Sequence, residues 1–157
     1  MWFEMRKESL GFVERAPAVH VAEGEVRAAR AAVFAALVDP WGWKSWFPNV
    51  REASYTSPPP YGVGTIREAD VGGTRWVEEI VAWDEDTRWA WTVVRTSLPF
   101  ATAQVESFEI EGGSSCNGTL LRRGATEHRG LGHGRPLRPG SRTRHAGAVT
   151  LRTHTHR

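Results

Sequence analysis

Between Ala31 and Tyr55 the chain reads AAVFAALVDPWGWKSWFPNVREASY, and no other stretch restricts its folding as strongly. Val33, Phe34, Leu37 and Val38 fall on one stripe at helical spacing, the pattern of a helix with one buried face. Asp39-Pro40 stops that helix, because proline lacks an N–H and restricts the residue before it. Trp41, Trp43, Trp46 and Phe47 then place four large aromatics within seven residues. Each such ring buries roughly 150–250 Å². The cluster is therefore either the plug of a core or the mouth of an apolar pocket. Pro48 ends it, and Val50–Tyr55 continues as extended chain.

Around this stretch the sequence reads mostly as strands. Residues 1–18 form a leader that either docks through Trp2, Phe3, Leu10, Phe12 and Val13 or remains a flexible extension. Val19–Val26 alternates and reads as a first strand, with His20 facing solvent. A helix is expected over Ala29–Val38, with no capping side chain before it. Further strands are expected at Val50–Tyr55, Thr65–Val71, Thr74–Trp83, Arg88–Thr96 and Ala101–Glu111, with another starting at Gly118. Gly72-Gly73 makes a tight hairpin between two of them. On Arg88–Thr96 the large residues Trp89, Trp91 and Val93 share one face, opposite Ala90, Thr92 and Val94. Short turns between successive strands argue an antiparallel meander rather than a parallel sheet.

The composition changes at Arg122. All eight tryptophans, both tyrosines and all six phenylalanines lie at or before Phe108. Residues 1–121 hold 11 Lys+Arg against 17 Asp+Glu, whereas residues 122–157 hold nine arginines and one acid, Glu127. The pI of about 9.1 thus belongs to the tail and not to the body. Leu131, Leu137, Val149 and Leu151 keep neither helical nor strand spacing. With its glycines, Pro136 and Pro139, this stretch reads as a disordered basic tail or as codons translated out of frame. Its arginines offer weak, non-specific phosphate contact at most, because no aromatics are interleaved to stack bases. His128, His133, His154 and His156 lack a cysteine partner or a scaffold, so no metal site is expected. One cysteine, Cys116, allows no internal disulfide and fits a reducing, cytoplasmic setting. No apolar run approaches the ~20 residues of a membrane span.

Few residues offer chemistry. Gly62-x-Gly64 precedes a strand, not a helix, and lacks the setting of a phosphate-binding turn; no cofactor is expected. Glu78 and Glu79 are neighbours on a strand, so only one of them points inward. An inward carboxylate near Glu106 could act as a proton-transfer group; Glu79 and Glu106 are the catalytic candidates. The alternative is a carboxylate simply bonded to Arg67, Arg75 or Arg95. No Ser-His-Asp set is supportable, since the body holds a single histidine, His20.

The pattern helix–VFAALVDPWGWKSWFPNV–strand, followed by Gly62-Val63-Gly64-Thr65, Trp76–Asp84 and Gly118-Thr119, resembles the SRPBCC superfamily, also called START-like or helix-grip. Its polyketide cyclase/dehydrase and lipid-transport branch is the part most resembled, over residues 19–121. That resemblance implies an α+β fold in which a curved antiparallel sheet, with two short helices after the first strand, grips a long C-terminal helix. Here that helix looks missing or replaced. The resemblance further implies an apolar cavity, with Phe34, Trp43, Trp46, Phe47, Trp89, Trp91 and Phe108 as lining, and binding of a lipid or polyketide-like molecule. Cyclase members use an arginine on a central strand; the matching position here falls near Val81, which departs from that pattern. Three functions therefore stand side by side. They are an apolar-ligand carrier, a cyclase or dehydratase using an inward carboxylate, and a damaged family member whose tail touches nucleic acid.

Overall fold

The computed structural model describes residues 1–112 and 118–129, and the backbone of residues 144–146. Its strands are β1 (Phe3–Glu4), β2 (Ala18–Val26), β3 (Val50–Tyr55), β4 (Ile66–Val71), β5 (Thr74–Asp84), β6 (Arg88–Thr96), β7 (Ala101–Gly112), β8 (Gly118–His128) and β9 (Arg144–Ala146). The helices are α1 (Phe12–Arg15), α2 (Arg30–Val38) and a 3₁₀ helix at Pro40–Ser45. The strands join into one sheet in the order β3-β4-β5-β6-β7-β8-β2-β9, with β1 beside β6. From β3 to β8 this is the expected meander; β2 returns to pair antiparallel with β8. The result is the α+β helix-grip architecture.

Sheet curvature has identifiable causes. Register shifts occur between Val50 and Glu52, Val77 and Glu78, Ile80 and Ala82, and Ala101 and Ala103. Each extra residue bends its strand and increases the local twist. At the β4–β5 hairpin Gly72 and Gly73 have φ of 62° and 90°. Two consecutive positive φ angles suit a two-residue hairpin and favour glycine at both places.

The concave face carries the larger core. Val33, Phe34 and Leu37 of α2, with Trp43 of the 3₁₀ helix, pack onto Trp89, Trp91, Val93, Phe108, Ile110 and Leu120. Trp43 sits at the centre. Its ring centroid lies 4.8 Å from that of Phe47, 5.0 Å from Trp46, 5.7 Å from Trp89, 5.8 Å from Trp91 and 6.1 Å from Phe108. The same indole donates from Nε1 to the carbonyl of Leu37 at 2.8 Å, and the Tyr55 hydroxyl donates to that of Val38 at 2.6 Å. Both bonds satisfy carbonyls that a helix C-terminus leaves free. The aromatic stretch thus ends α2 as well as filling the core beneath it.

The convex face is lined with small residues, among them Ala90, Thr92, Ala103, Val105, Ser107 and Ala125, all fully buried. The leader covers them. Phe12 and Val13 of α1 pack on Ala103, Val105 and Ala125, and Glu8 donates its backbone N–H to the Thr92 hydroxyl. Of the two expectations for residues 1–18, docking is the one observed.

The basic tail starts later than Arg122. β8 continues to His128, and the arginines that colour its composition answer acids on β7. Arg122 pairs with Glu106 at 2.5 Å and Arg123 lies 3.8 Å from Glu109. Opposite charges across a strand pair are a reason to form sheet, not to avoid it, and this corrects the disordered reading for residues 122–129. Among the described residues beyond them, Arg144–Ala146 runs parallel to Val21–Glu23. His133, His154, His156 and the rest of the expected tail lie outside the described residues.

Trp43 is 3% exposed, whereas Trp46 is only partly buried. Trp43→Ala is expected to cost about 3–5 kcal/mol, the range for deleting a buried large aromatic, and Trp46→Ala clearly less. Denaturant unfolding of the two variants checks the order.

Candidate functional site

The concave sheet is not wholly apolar. Arg67 on β4 is 1% exposed and lies opposite Glu78 of β5. Its Nε donates to Glu78 Oε2 at 2.6 Å. The guanidinium carbon stands 4.3 Å from the ring centroid of Trp43, 4.5 Å from Trp91 and 4.8 Å from Trp89. Three indole faces thus hold one buried cation, an arrangement worth roughly 2 kcal/mol or more per desolvated contact. Among the described residues Arg67 Nη1 has no hydrogen-bond partner. A buried donor left free is costly, and such a group calls for an explanation in a ligand or a bound water.

Glu78 is inward by ordinary alternation, sharing the concave face with Trp76 and Ile80 two residues to either side. Its neighbour Val77, on the opposite face, is buried as well, as are the consecutive residues Ala90, Trp91 and Thr92 of β6, because both faces of the sheet are covered. Burial away from water pushes the Glu78 carboxyl above its ordinary value; the charge of Arg67 and its hydrogen bond pull the other way. Glu106 adds a like charge that raises it further.

A second polar group stands next along the face. Arg122 donates to Glu106 through Nε at 3.0 Å and Nη2 at 2.5 Å, and Gln104 Nε2 donates to the other Glu106 oxygen at 2.9 Å. The Arg122 guanidinium lies 5.0 Å from the Phe47 ring and 5.8 Å from Phe108. Together the two pairs make a polar belt across β4, β5, β7 and β8, with Trp91 between them.

The structure brings Trp43, Trp46, Phe47, Trp89, Trp91 and Phe108 into one aromatic cluster, with Phe34 beside it on Trp83 at 6.0 Å. Glu106 stands on this face. Glu79 does not: it lies opposite Thr92, and its carboxylate meets Lys7 of the leader at 2.5 Å. Glu78 takes the inward place considered for one of the pair. The buried arginine is Arg67 on β4, not a residue at the Val81 position on β5. From sequence, Arg67 is expected only as a possible salt-bridge partner. Its signal is its parity with Thr65 and Ala69, the small residues two positions to either side on the strand expected at Thr65–Val71.

A family model described as polyketide cyclase / dehydrase and lipid transport matches residues 18–150. The chain belongs to that family. The match runs past Leu121, beyond the point where an out-of-frame tail would begin. An uncharacterized protein of Mycobacterium tuberculosis is 26% identical over 125 residues, covering 77% of this chain and 75% of the relative. A START superfamily protein from Mycobacterium smegmatis has a similar fold, with TM-score 0.62 and 14% identity over 74% of this chain and 81% of that one. The Zhui aromatase/cyclase of a Streptomyces species aligns with TM-score 0.62 and 15% identity, over 73% and 70% of the two chains. Family and fold point to binding of a hydrophobic ligand or to cyclase-type function. Among the described residues no helix is long and apolar enough to cross a membrane.

The raised Glu78 carboxyl makes a prediction about pH. In the interval between its unfolded and folded values the native state binds more protons than the unfolded state, so stability falls as pH rises. Glu78→Gln removes that fall from the stability–pH profile above the ordinary glutamate range. The same variant strips Arg67 of its counter-charge and costs about 3–5 kcal/mol, whereas Arg67→Met with Glu78→Leu is near neutral. Denaturation at several pH values checks both.

Proposed function

We propose that this protein binds an apolar, ring-bearing small molecule on the concave face and holds it by one oxygen at Arg67. The observation that carries the reading is the free Nη1 of a buried guanidinium set among three tryptophans. Apolar surroundings strengthen a charge-assisted bond to a carbonyl or phenol oxygen. The aromatic lining, including Phe34, Trp46, Phe47 and Phe108, supplies shape and area rather than bond making. A cytoplasmic setting fits the single cysteine.

One observation favours a second reading, a cyclase or dehydratase. Burial raises the Glu78 carboxyl and Glu106 faces the same side of the sheet. A carboxyl whose proton is held above the ordinary glutamate range is suited to give and take a proton at an activated ketone. In this reading Glu78, not Glu79, moves the proton, and Arg67 stabilises the oxygen that gains charge. Of the nine arginines behind the nucleic-acid reading, the three whose side chains are described are engaged within the fold. Arg122 and Arg123 face Glu106 and Glu109, and Arg129 donates to the Ala101 and Glu4 carbonyls.

Calorimetry with 2-acetylnaphthalene and with naphthalene tests the anchor. The ketone is expected to bind at least tenfold more tightly, about one charge-assisted hydrogen bond's worth, and the advantage disappears in the Arg67→Met/Glu78→Leu pair. Equal affinities for the two compounds in the native protein would overturn the proposal.

A further inference from the structure

We infer that the leader is a displaceable strap that plugs a fork in the sheet, and that its release opens the concave face to ligand. The access role rests on the ligand reading above; the strap itself rests on the sheet. β6 and β7 pair only over Arg88–Thr92 and Val105–Glu109. Beyond Thr92 the two strands part, and the leader fills the gap. Phe3 and Glu4 pair with Thr96 and Arg95 of β6. Met5 donates its N–H to the Val94 carbonyl at 2.9 Å, and Arg6 donates to the Thr102 carbonyl of β7 at 2.7 Å. The segment thus bonds to both arms of the fork.

Its side chains go to opposite faces. Met5, 7% exposed, belongs to the concave core with Trp91, Val93 and Ala101, while Phe12 and Val13 belong to the convex cluster. Met5 therefore stops the fork from within, and α1 holds the segment from outside. The leader lies ahead of residue 18, where the family match begins. It supplies a part of the inner lining that the matched region does not contain.

The attachment is slight compared with the strands it joins. β1 has two residues. The ion pairs to the sheet are Arg6 to Glu127 at 2.8 Å and Lys7 to Glu79 at 2.5 Å, with the basic partners 51% and 59% exposed, and single hydrogen bonds join Arg129 to the Glu4 carbonyl and the Glu8 N–H to the Thr92 hydroxyl. Exposed pairs are screened by salt. Short, surface-held segments open locally without unfolding the sheet. Loss of the strap would leave the Val94 and Thr102 carbonyls to water and vacate the space of Met5 beside Val93 and Ala101.

Two experiments on the full chain separate the strap from its role. In native-state hydrogen exchange the amides of Met5 and Arg6 are expected to exchange at least tenfold faster than that of Ile80. Raising salt from about 0.05 M to about 0.5 M speeds them further and leaves Ile80 unchanged. Exchange of all three at one rate would overturn the strap. For the access role, Glu4→Cys with Arg95→Cys, in a Cys116→Ser background, places two thiols directly opposite in an antiparallel pair. Oxidation is expected to slow uptake of 1-anilinonaphthalene-8-sulfonate at least tenfold, and reduction to restore it. Equal uptake rates in both forms would overturn the access role. Failure of the probe to bind either form would overturn the ligand reading and the access role together, while exchange at Met5 and Arg6 still decides whether the strap opens.

Discussion

The ion pair between Arg67 and Glu78 is the interaction around which the concave face is arranged. Two charges taken out of water are expensive unless geometry and surroundings compensate. Here the compensation is visible: a 2.6 Å hydrogen bond and three indole rings around the guanidinium. One of those rings, Trp43, comes from the 3₁₀ helix, and the other two from β6. The cation therefore ties the helical layer to the sheet. Trp43 in turn caps α2 through its Nε1. Core, helix end and buried ion pair are one construction.

The two faces of the sheet solve different problems. The convex face offers small side chains, so a short leader helix lies close and seals it. The concave face offers large rings interrupted by two charge pairs, so it is apolar in area but polar at chosen points. Small-molecule sites commonly have this composition, with few polar groups fixing orientation in an apolar lining. Arg122 serves the same arrangement. It reaches from β8 to Glu106 on β7 and to Phe47, so a part of β8 that looks basic in isolation is charge-balanced once its strand partner is beside it.

Much of the fold was legible in the sequence, because period and punctuation are local. Strand alternation, the Asp39-Pro40 stop, the Gly72-Gly73 hairpin and the aromatic segment all lie where spacing predicts. The inward carboxylate was not legible. A bulge between Ile80 and Ala82 reverses the parity of β5, so that Ile80 and Trp83 both reach the concave core, and a bulge is a property of two paired strands, not of one. Arg67 was obscured for a related reason: an arginine beside Glu68 on a strand reads as solvent-facing until its partner across the hairpin, Glu78, is known. The reach of β8 was missed because composition counts charges without seeing the acids opposite. The leader's place was underdetermined because the fork it fills exists only after β6 and β7 have parted.

The central claim is that Arg67 in its tryptophan cage is the point where a ligand's oxygen is held. The most direct measurement is nitrogen-15 NMR of the Arg67 side-chain Nε–H during titration with 2-acetylnaphthalene. The account predicts a saturable shift of that resonance, accompanied by the indole N–H of Trp91. Shifts confined to exposed residues such as Trp41 and Val63, with the Arg67 resonance unmoved at saturation, would contradict it.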